Sequence, residues 1–290
     1  MVKSRKINVG ITIGDPNGIG IEIILKSLSN FSLFHECNFI IYASIGLIEK
    51  QKNHFQIDTP SLRKIDSEED VLDNHINVKE VFSNSQFNFG ESIKDLSAFG
   101  ILSLKEATKA IKNNMIDVLV TAPINKDLSY SKSFKFTGHT DFLKDYFGTN
   151  PLMLMISEEL KIALLTDHIP IKDVSNAINR GIVEQKIKVL EKCLINDFQI
   201  KKPKIAVLAV NPHAGDNGLI GNEDQLIITP AVNSFKGATS SVTGPFSADT
   251  FFVNENYKKY DGIIASYHDQ GLIPFKTISF GKGVNFTAGL

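Results

Sequence analysis

Three histidines in this 290-residue chain share one kind of lead-in. Each closes an apolar run: "IALLTDHIP" delivers His168, "IAVLAVNPHAG" delivers His213 and "GIIASYHDQG" delivers His268. Neutral imidazole is the commonest metal-ligating side chain. Three protein ligands with one open position is the catalytic arrangement of zinc and its relatives. Open α/β sheets bind ligands beyond the carboxyl ends of their strands, where segments distant in sequence converge. Taken singly, a strand-end histidine is usually a hydrogen-bonded loop residue, so the repeated context is what raises these three. His35, His54 and His75 lie in polar surroundings and read as ordinary surface residues. Asp167 and Asp269, beside two of the three, are either partners that orient the rings or solvated loop acids.

Other segments carry donors suited to an anion. "TAPINK" delivers Lys126 through a proline, and "FTGHTDFL" places His139 and Thr140 ahead of a helical run. Thr140 is either a helix N-cap or, with His139, a donor to a negatively charged substrate. "GPFSADTFF" brings Asp249 and Thr250 before two aromatics, and "IPFKTISFGKGVNFTAGL" sets Lys276, Lys282 and Asn285 among glycines. "GITIGDPNGIGIEIILK" spaces Gly14, Gly18 and Gly20 in neither the dinucleotide nor the Walker pattern. It is a tight strand-to-helix turn, or a helix N-terminus that holds an anion.

These residues need elements to position them. Unbroken apolar runs predict strands over 7–13, 38–44, 116–122, 152–157, 161–166, 204–210 and 261–267, as for strands covered on both faces. One-face spacing of Val183, Ile187, Leu190 and Leu194 predicts a helix over 182–195, and Ile101, Leu104 and Ile111 another over 100–112. Strands alternating with helices imply a mostly parallel α/β sheet. The stretch 51–97 is polar and weakly patterned and is expected to be an excursion at the edge of the fold. No composition break marks a domain boundary.

Composition narrows the class. Hydrophobic residues make up 42 %, and the net charge is -1. That balance gives nucleic acid or an anionic membrane no electrostatic reason to bind. The most apolar window, "FIIYASIGLI", falls well short of the roughly 20 residues that span a bilayer. Cys37 and Cys193 form no CxxC pair. A soluble protein of the reducing cytoplasm is expected.

Taken together, "GDPNGIGIEI", "TAPINK", "FTGHTDFL", "NPHAGDNGLIGNED", "GPFSADTFF" and "YHDQGLIPFK…FGKGVNFTAGL" run in order along nearly the whole chain. In this the chain resembles the 4-hydroxythreonine-4-phosphate dehydrogenase family of pyridoxal phosphate biosynthesis. The resemblance implies an α/β fold like that of the isocitrate and isopropylmalate dehydrogenases, with two intertwined α/β subdomains around a central cleft. It implies a homodimer whose metal site is shared between subunits. His168, His213 and His268 fall on the family's divalent-metal positions, for zinc, magnesium or cobalt. His139, Thr140, Lys276 and Asn285 fall on its substrate positions. NAD or NADP is implied as cosubstrate, with no residues assigned to it. The implied substrate is 4-phosphooxy-L-threonine, a small phosphorylated amino acid. Asp249 and Lys126 are candidates on chemistry for the base that takes the hydroxyl proton. Family members continue with an arginine that contacts substrate and a helical segment, so weaker phosphate binding and exposed apolar surface are expected of these 290 residues. Three competing readings remain: a sister dehydrogenase of a related phosphorylated four-carbon acid such as phospho-threonate, a metal-dependent hydrolase, and a relative that binds ligand without activity.

Overall fold

The computed structural model describes residues 5–125, 134–136, 138–236 and 240–290. The chain divides into two compact units, Met1–Leu143 and Lys144–Leu290.

The first unit is built on a five-stranded sheet in the order β3-β4-β2-β1-β5. Its strands are β1 (Ile7–Thr12), β2 (Cys37–Ala43), β3 (Leu62–Ile65), β4 (Ile76–Glu80) and β5 (Val118–Thr121). All its pairings are parallel. Helices α1 (Gly20–Leu28) and α2 (Ile45–Phe55) cover one face, where Ile21, Ile24 and Leu25 meet Val9, Ile11 and Ile41. Helix α3 (Lys94–Lys112) covers the other, where Ala107 and Ala110 meet Ile40, Tyr42 and Ile116. Two-sided cover is why β1 and β2 read as unbroken apolar runs.

The stretch 51–97 is not an excursion. It supplies β3 and β4, and β4 sits inside the sheet between β3 and β2. The pattern was faint because these strands are only four and five residues long, and edge strand β3 turns Arg63 and Lys64 to solvent. At the opposite edge, Val118 and Val120 of β5 stay exposed, and Val120 and Ile23 line an apolar cavity of about 270 Å³.

The turn from β1 to α1 explains the glycine spacing. Gly14 sits at φ +66°, and a Cβ there would lie 2.1 Å from the Pro123 carbonyl oxygen. A Cβ on Gly100 of α3 would lie 2.3 Å from the Gly14 oxygen. These glycines let backbones touch. Asn17, 5 % exposed, then ties the turn to a distant loop: its side-chain oxygen accepts from Asn88 N (2.8 Å) and its Nδ2 donates to Glu91 O (2.9 Å).

The second unit holds a six-stranded sheet in the order β11-β6-β7-β10-β8-β9. Its strands are β6 (Leu152–Ile156), β7 (Lys161–Leu164), β8 (Lys204–Leu208), β9 (Ser241–Phe246), β10 (Gly262–Ala265) and β11 (Val284–Ala288). The central strands β7, β10, β8 and β9 are parallel. Only the β11–β6 and β6–β7 pairings are antiparallel, because β6 turns back within four residues into β7, with Ser157 N donating to Leu160 O (2.8 Å). Strands β9 and β11 were not anticipated, since neither is a continuous apolar run.

Helix α4 (His139–Phe147) spans the junction of the two units, and α5 (Arg180–Asn196) follows in the second. As expected from their spacing, Val183, Ile187, Leu190 and Leu194 of α5 are fully buried against the sheet. The Asn179 side chain caps α5 by accepting from Ile182 N (3.0 Å). The helices α6 (Ala248–Phe251) and α7 (His268–Ile278) serve the other face, where Phe251, Leu272 and Phe275 meet Ile162, Leu164 and Leu208. Both cysteines are free thiols. Among the described residues no helix is long and apolar enough to cross a membrane.

Gly100→Ala tests the backbone contact. Alanine is the better helix former by about 1 kcal/mol, yet its methyl would overlap the Gly14 carbonyl. Overpacking of this kind costs about 1–3 kcal/mol. The variant should unfold at lower urea than the parent; an equal or higher midpoint would refute the contact.

Candidate functional site

The candidate histidines of the second unit leave the sheet at the carboxyl ends of its parallel strands. The ladder between β7 and β10 continues past both strands: Leu165 N donates to Ala265 O (2.8 Å), and the Thr166 hydroxyl to Ser266 O (2.8 Å). The two chains therefore leave the sheet side by side. His168 and His268 emerge with ring centroids 5.5 Å apart and an interplanar angle of 43°. His268 Nδ1 lies 2.7 Å from the Asp269 carboxylate, which orients the ring and leaves Nε2 to point elsewhere. His268 opens α7, whose start is pinned to β8 through Gln270: its Nε2 donates to Ala209 O and its Oε1 accepts from Ser266 N, each at 2.7 Å.

His213 reaches the same end of the sheet by another device. Beyond β8, Val210 N and Asn211 N donate to the two oxygens of Asp224 at 2.7 and 2.9 Å. Asp224 is 1 % exposed. Asn211 Nδ2 donates to Glu223 at 2.8 Å, and the Ser175 hydroxyl donates to the same side chain, so the Glu223 carboxyl is held below its usual range. So anchored, the chain turns through six successive residues at positive φ, His213 to Gly218. The turn packs against α6, which carries Asp249. Asp249, at the start of α6, accepts from the Ser247 hydroxyl at 2.8 Å. That hydrogen bond, with His213 as a lesser influence, keeps the carboxyl below its usual range and therefore ionised at neutral pH.

The remaining candidates divide as follows. Lys276, in the last turn of α7, and Asn285, on β11 opposite Met155, are both exposed in this unit. His139 is the first residue of α4, in the other unit. Thr140 is the next residue of that helix, so it is not the N-cap: Gly138 O takes the first turn's bond from Phe142 N (3.2 Å). Lys126 lies outside the described residues. Among the described residues, no three His, Cys, Asp or Glu side chains stand in metal-holding positions within one chain. What one chain assembles is the pair His168–His268, with His213 on the turn that packs against α6. Asp224 and Glu223 went unremarked in the sequence, although "GNED" follows the histidine loop closely enough to fold back on it.

The pair does suit a cation. Two imidazoles sharing one zinc at about 2.0–2.1 Å hold their centroids roughly 5 Å apart, and the observed separation is 5.5 Å.

Fold and site together define an α/β protein that presents imidazoles and an ionised acid at the carboxyl ends of a mostly parallel sheet. Residues 35–290 match the family described as "Pyridoxal phosphate biosynthetic protein PdxA". The chain belongs to that family, whose members are oxidoreductases with a fold related to the isocitrate and isopropylmalate dehydrogenases. It is 38 % identical to the 4-hydroxythreonine-4-phosphate dehydrogenase of Bacteroides thetaiotaomicron, over all of this chain and 80 % of that protein. Among solved structures it resembles the enzymes of the same name from Burkholderia phymatum (TM-score 0.86, 30 % identity, 99 % of this chain and 88 % of that one) and Klebsiella pneumoniae (TM-score 0.86, 31 % identity, 99 % and 87 %). Membership sets the hydrolase aside.

Asp224→Ala should release the loop. Two backbone N–H groups would lose a charged, buried acceptor, at a cost of about 2–4 kcal/mol. Hydrogen exchange at Val210 and Asn211 should quicken along with the loss of stability. Unchanged exchange at these two amides would show that Asp224 does not hold them.

Proposed function

We propose that the chain carries out the metal-dependent, NAD(P)-linked oxidation of 4-phosphooxy-L-threonine. The product, 2-amino-3-oxo-4-phosphooxybutanoate, loses carbon dioxide to give 3-amino-2-oxopropyl phosphate. The observation that carries this reading is the His168–His268 pair at the carboxyl end of the second sheet, in a chain that matches dehydrogenases of this name over its full length.

His168, His213 and His268 are the residues that hold the divalent cation, as zinc, magnesium or cobalt. A homodimer with a shared site accounts for one chain presenting only two of the three rings side by side. When bound, the cation supplies Lewis acidity toward the substrate hydroxyl, and the dinucleotide supplies the hydride acceptor. The chain's own groups do the rest. The Asp249 carboxylate takes the hydroxyl proton: it is ionised and exposed, and its helix packs against the turn of His213. Lys126 is the other candidate for that proton. Lys276 donates to the phosphate, with Asn285, His139 and Thr140 completing the polar contacts to substrate. Asp269 fixes the ring of His268. The cytoplasm is the compartment proposed for this chemistry. The deciding experiment follows NADH formation from 4-phosphooxy-L-threonine with and without added divalent metal. Absence of reduction under both conditions overturns the reading, and faster reduction with phospho-threonate would favour the sister dehydrogenase.

Two variants separate the roles. His213→Ala should abolish stoichiometric zinc binding, read by metal analysis after gel filtration, while the circular dichroism spectrum stays that of the parent; retained stoichiometry would remove His213 from the ligand set. Lys276→Ala should raise KM for the phosphorylated substrate by roughly 10- to 150-fold, the range expected on losing one charge-assisted contact. An unphosphorylated analogue should be far less affected, and equal losses for both would make Lys276 structural.

A further inference from the structure

The site described above leaves the dinucleotide without a seat. The first unit contains a cavity of about 740 Å³. It lies between α2, the start of α3 and the loop 81–93 that leaves β4, so it opens at the carboxyl end of a wholly parallel sheet. Ligands of open α/β folds bind at that end. The volume falls within the roughly 300–1,000 Å³ typical of small-molecule sites.

The lining carries a particular chemistry. Phe87 and Phe99 contribute flat apolar faces. Phe99 is held rigid by stacking on Phe82, with centroids 4.4 Å apart and planes at 26°. Asn84, Gln86 and Asn88 contribute amides, which donate and accept at once. Asp95 contributes a carboxylate, and Lys50 is held across the loop by the Ser85 hydroxyl at 2.8 Å. The loop is also fastened from below, because buried Asn17 of the glycine turn binds the backbone of Asn88 and Glu91. Aromatic faces suit a purine ring. Asn and Gln amides match the donor–acceptor pair on the edge of adenine. A carboxylate suits the two hydroxyls of a ribose and repels a 2′-phosphate.

We propose that this cavity binds the adenosine half of the nicotinamide dinucleotide, and that Asp95 makes the chain prefer NAD to NADP. The proposal rests on the reading of the chain as an NAD(P)-linked dehydrogenase, and it adds a location and a preference to that reading.

Binding to the full 290-residue chain is measured by NADH fluorescence and by calorimetry with NAD, NADP, AMP and nicotinamide mononucleotide. AMP should compete with NADH, and nicotinamide mononucleotide should not. Phe87→Ala should weaken NAD and AMP together, by about tenfold. Asp95→Asn should weaken NAD by about tenfold and bring NADP to similar affinity. Asp95 is exposed, so this variant tests the site even if Phe87→Ala, which loosens the contacts of Phe87 with His54 and Phe89, fails to fold. NADH binding that neither variant changes would overturn the location while leaving the dehydrogenase reading intact. Tighter binding of NADP than NAD by the parent chain would overturn the role of Asp95. A chain that binds no dinucleotide would overturn this inference and the proposed function together.

Discussion

Asp224 is a buried carboxylate with two backbone N–H donors, and the histidine end of the second sheet depends on it. A charge withdrawn from water is costly unless hydrogen bonds replace its hydration. Here Val210 N and Asn211 N replace it, and the Asn211 side chain adds a third contact at 3.1 Å. The arrangement works in both directions. The carboxylate is stable only while the strand end stays in place, and the strand end is satisfied only while the carboxylate does. Six residues at positive φ follow, four of them not glycine, a conformation that is costly for residues other than glycine. Such a turn persists only when its two ends are fixed, and Asp224 fixes the first.

The same logic of fixed ends recurs at β7 and β10. Their pairing extends beyond the regular strands through Leu165 and Thr166, and this extension brings two histidines a hundred residues apart to neighbouring positions. In the first unit the glycines of the β1–α1 turn fulfil a comparable task by removing side chains where backbones meet. In each place the positions of reactive or lining groups follow from backbone hydrogen bonds or backbone contact.

What could be read from the sequence follows from these causes. The helix face of Val183, Ile187, Leu190 and Leu194 was legible because one element's period encodes it. So were the continuous strands β1, β2, β7, β8 and β10, since burial on both faces leaves a local apolar run. The strand-end position of the histidines was legible for the same reason. Their mutual approach was not, because it depends on the register between β7 and β10. Asp224 was missed because an acid that binds a distant strand end looks like any other acid in a loop. Strands β3 and β4 escaped because short strands with charged outer residues leave too little pattern. Thr140 misled because threonine before an apolar run suits an N-cap, while the helix begins one residue earlier.

The left-handed turn after β8 also decides how this protein ages. The sequence contains two Asn-Gly pairs, Asn17-Gly18 and Asn217-Gly218. In such a pair the glycine backbone nitrogen, free of a neighbouring side chain, attacks the asparagine side-chain amide carbon; ammonia leaves, and water then hydrolyses the resulting succinimide to aspartate or isoaspartate. Asn17 is buried with both ends of its amide engaged, which holds it away from that geometry. Asn217 is exposed, four residues past His213. Chemical ageing therefore falls on the loop that carries a histidine of the site. It adds a negative charge there and, in the isoaspartate form, an extra methylene in the backbone of the loop that presents His213.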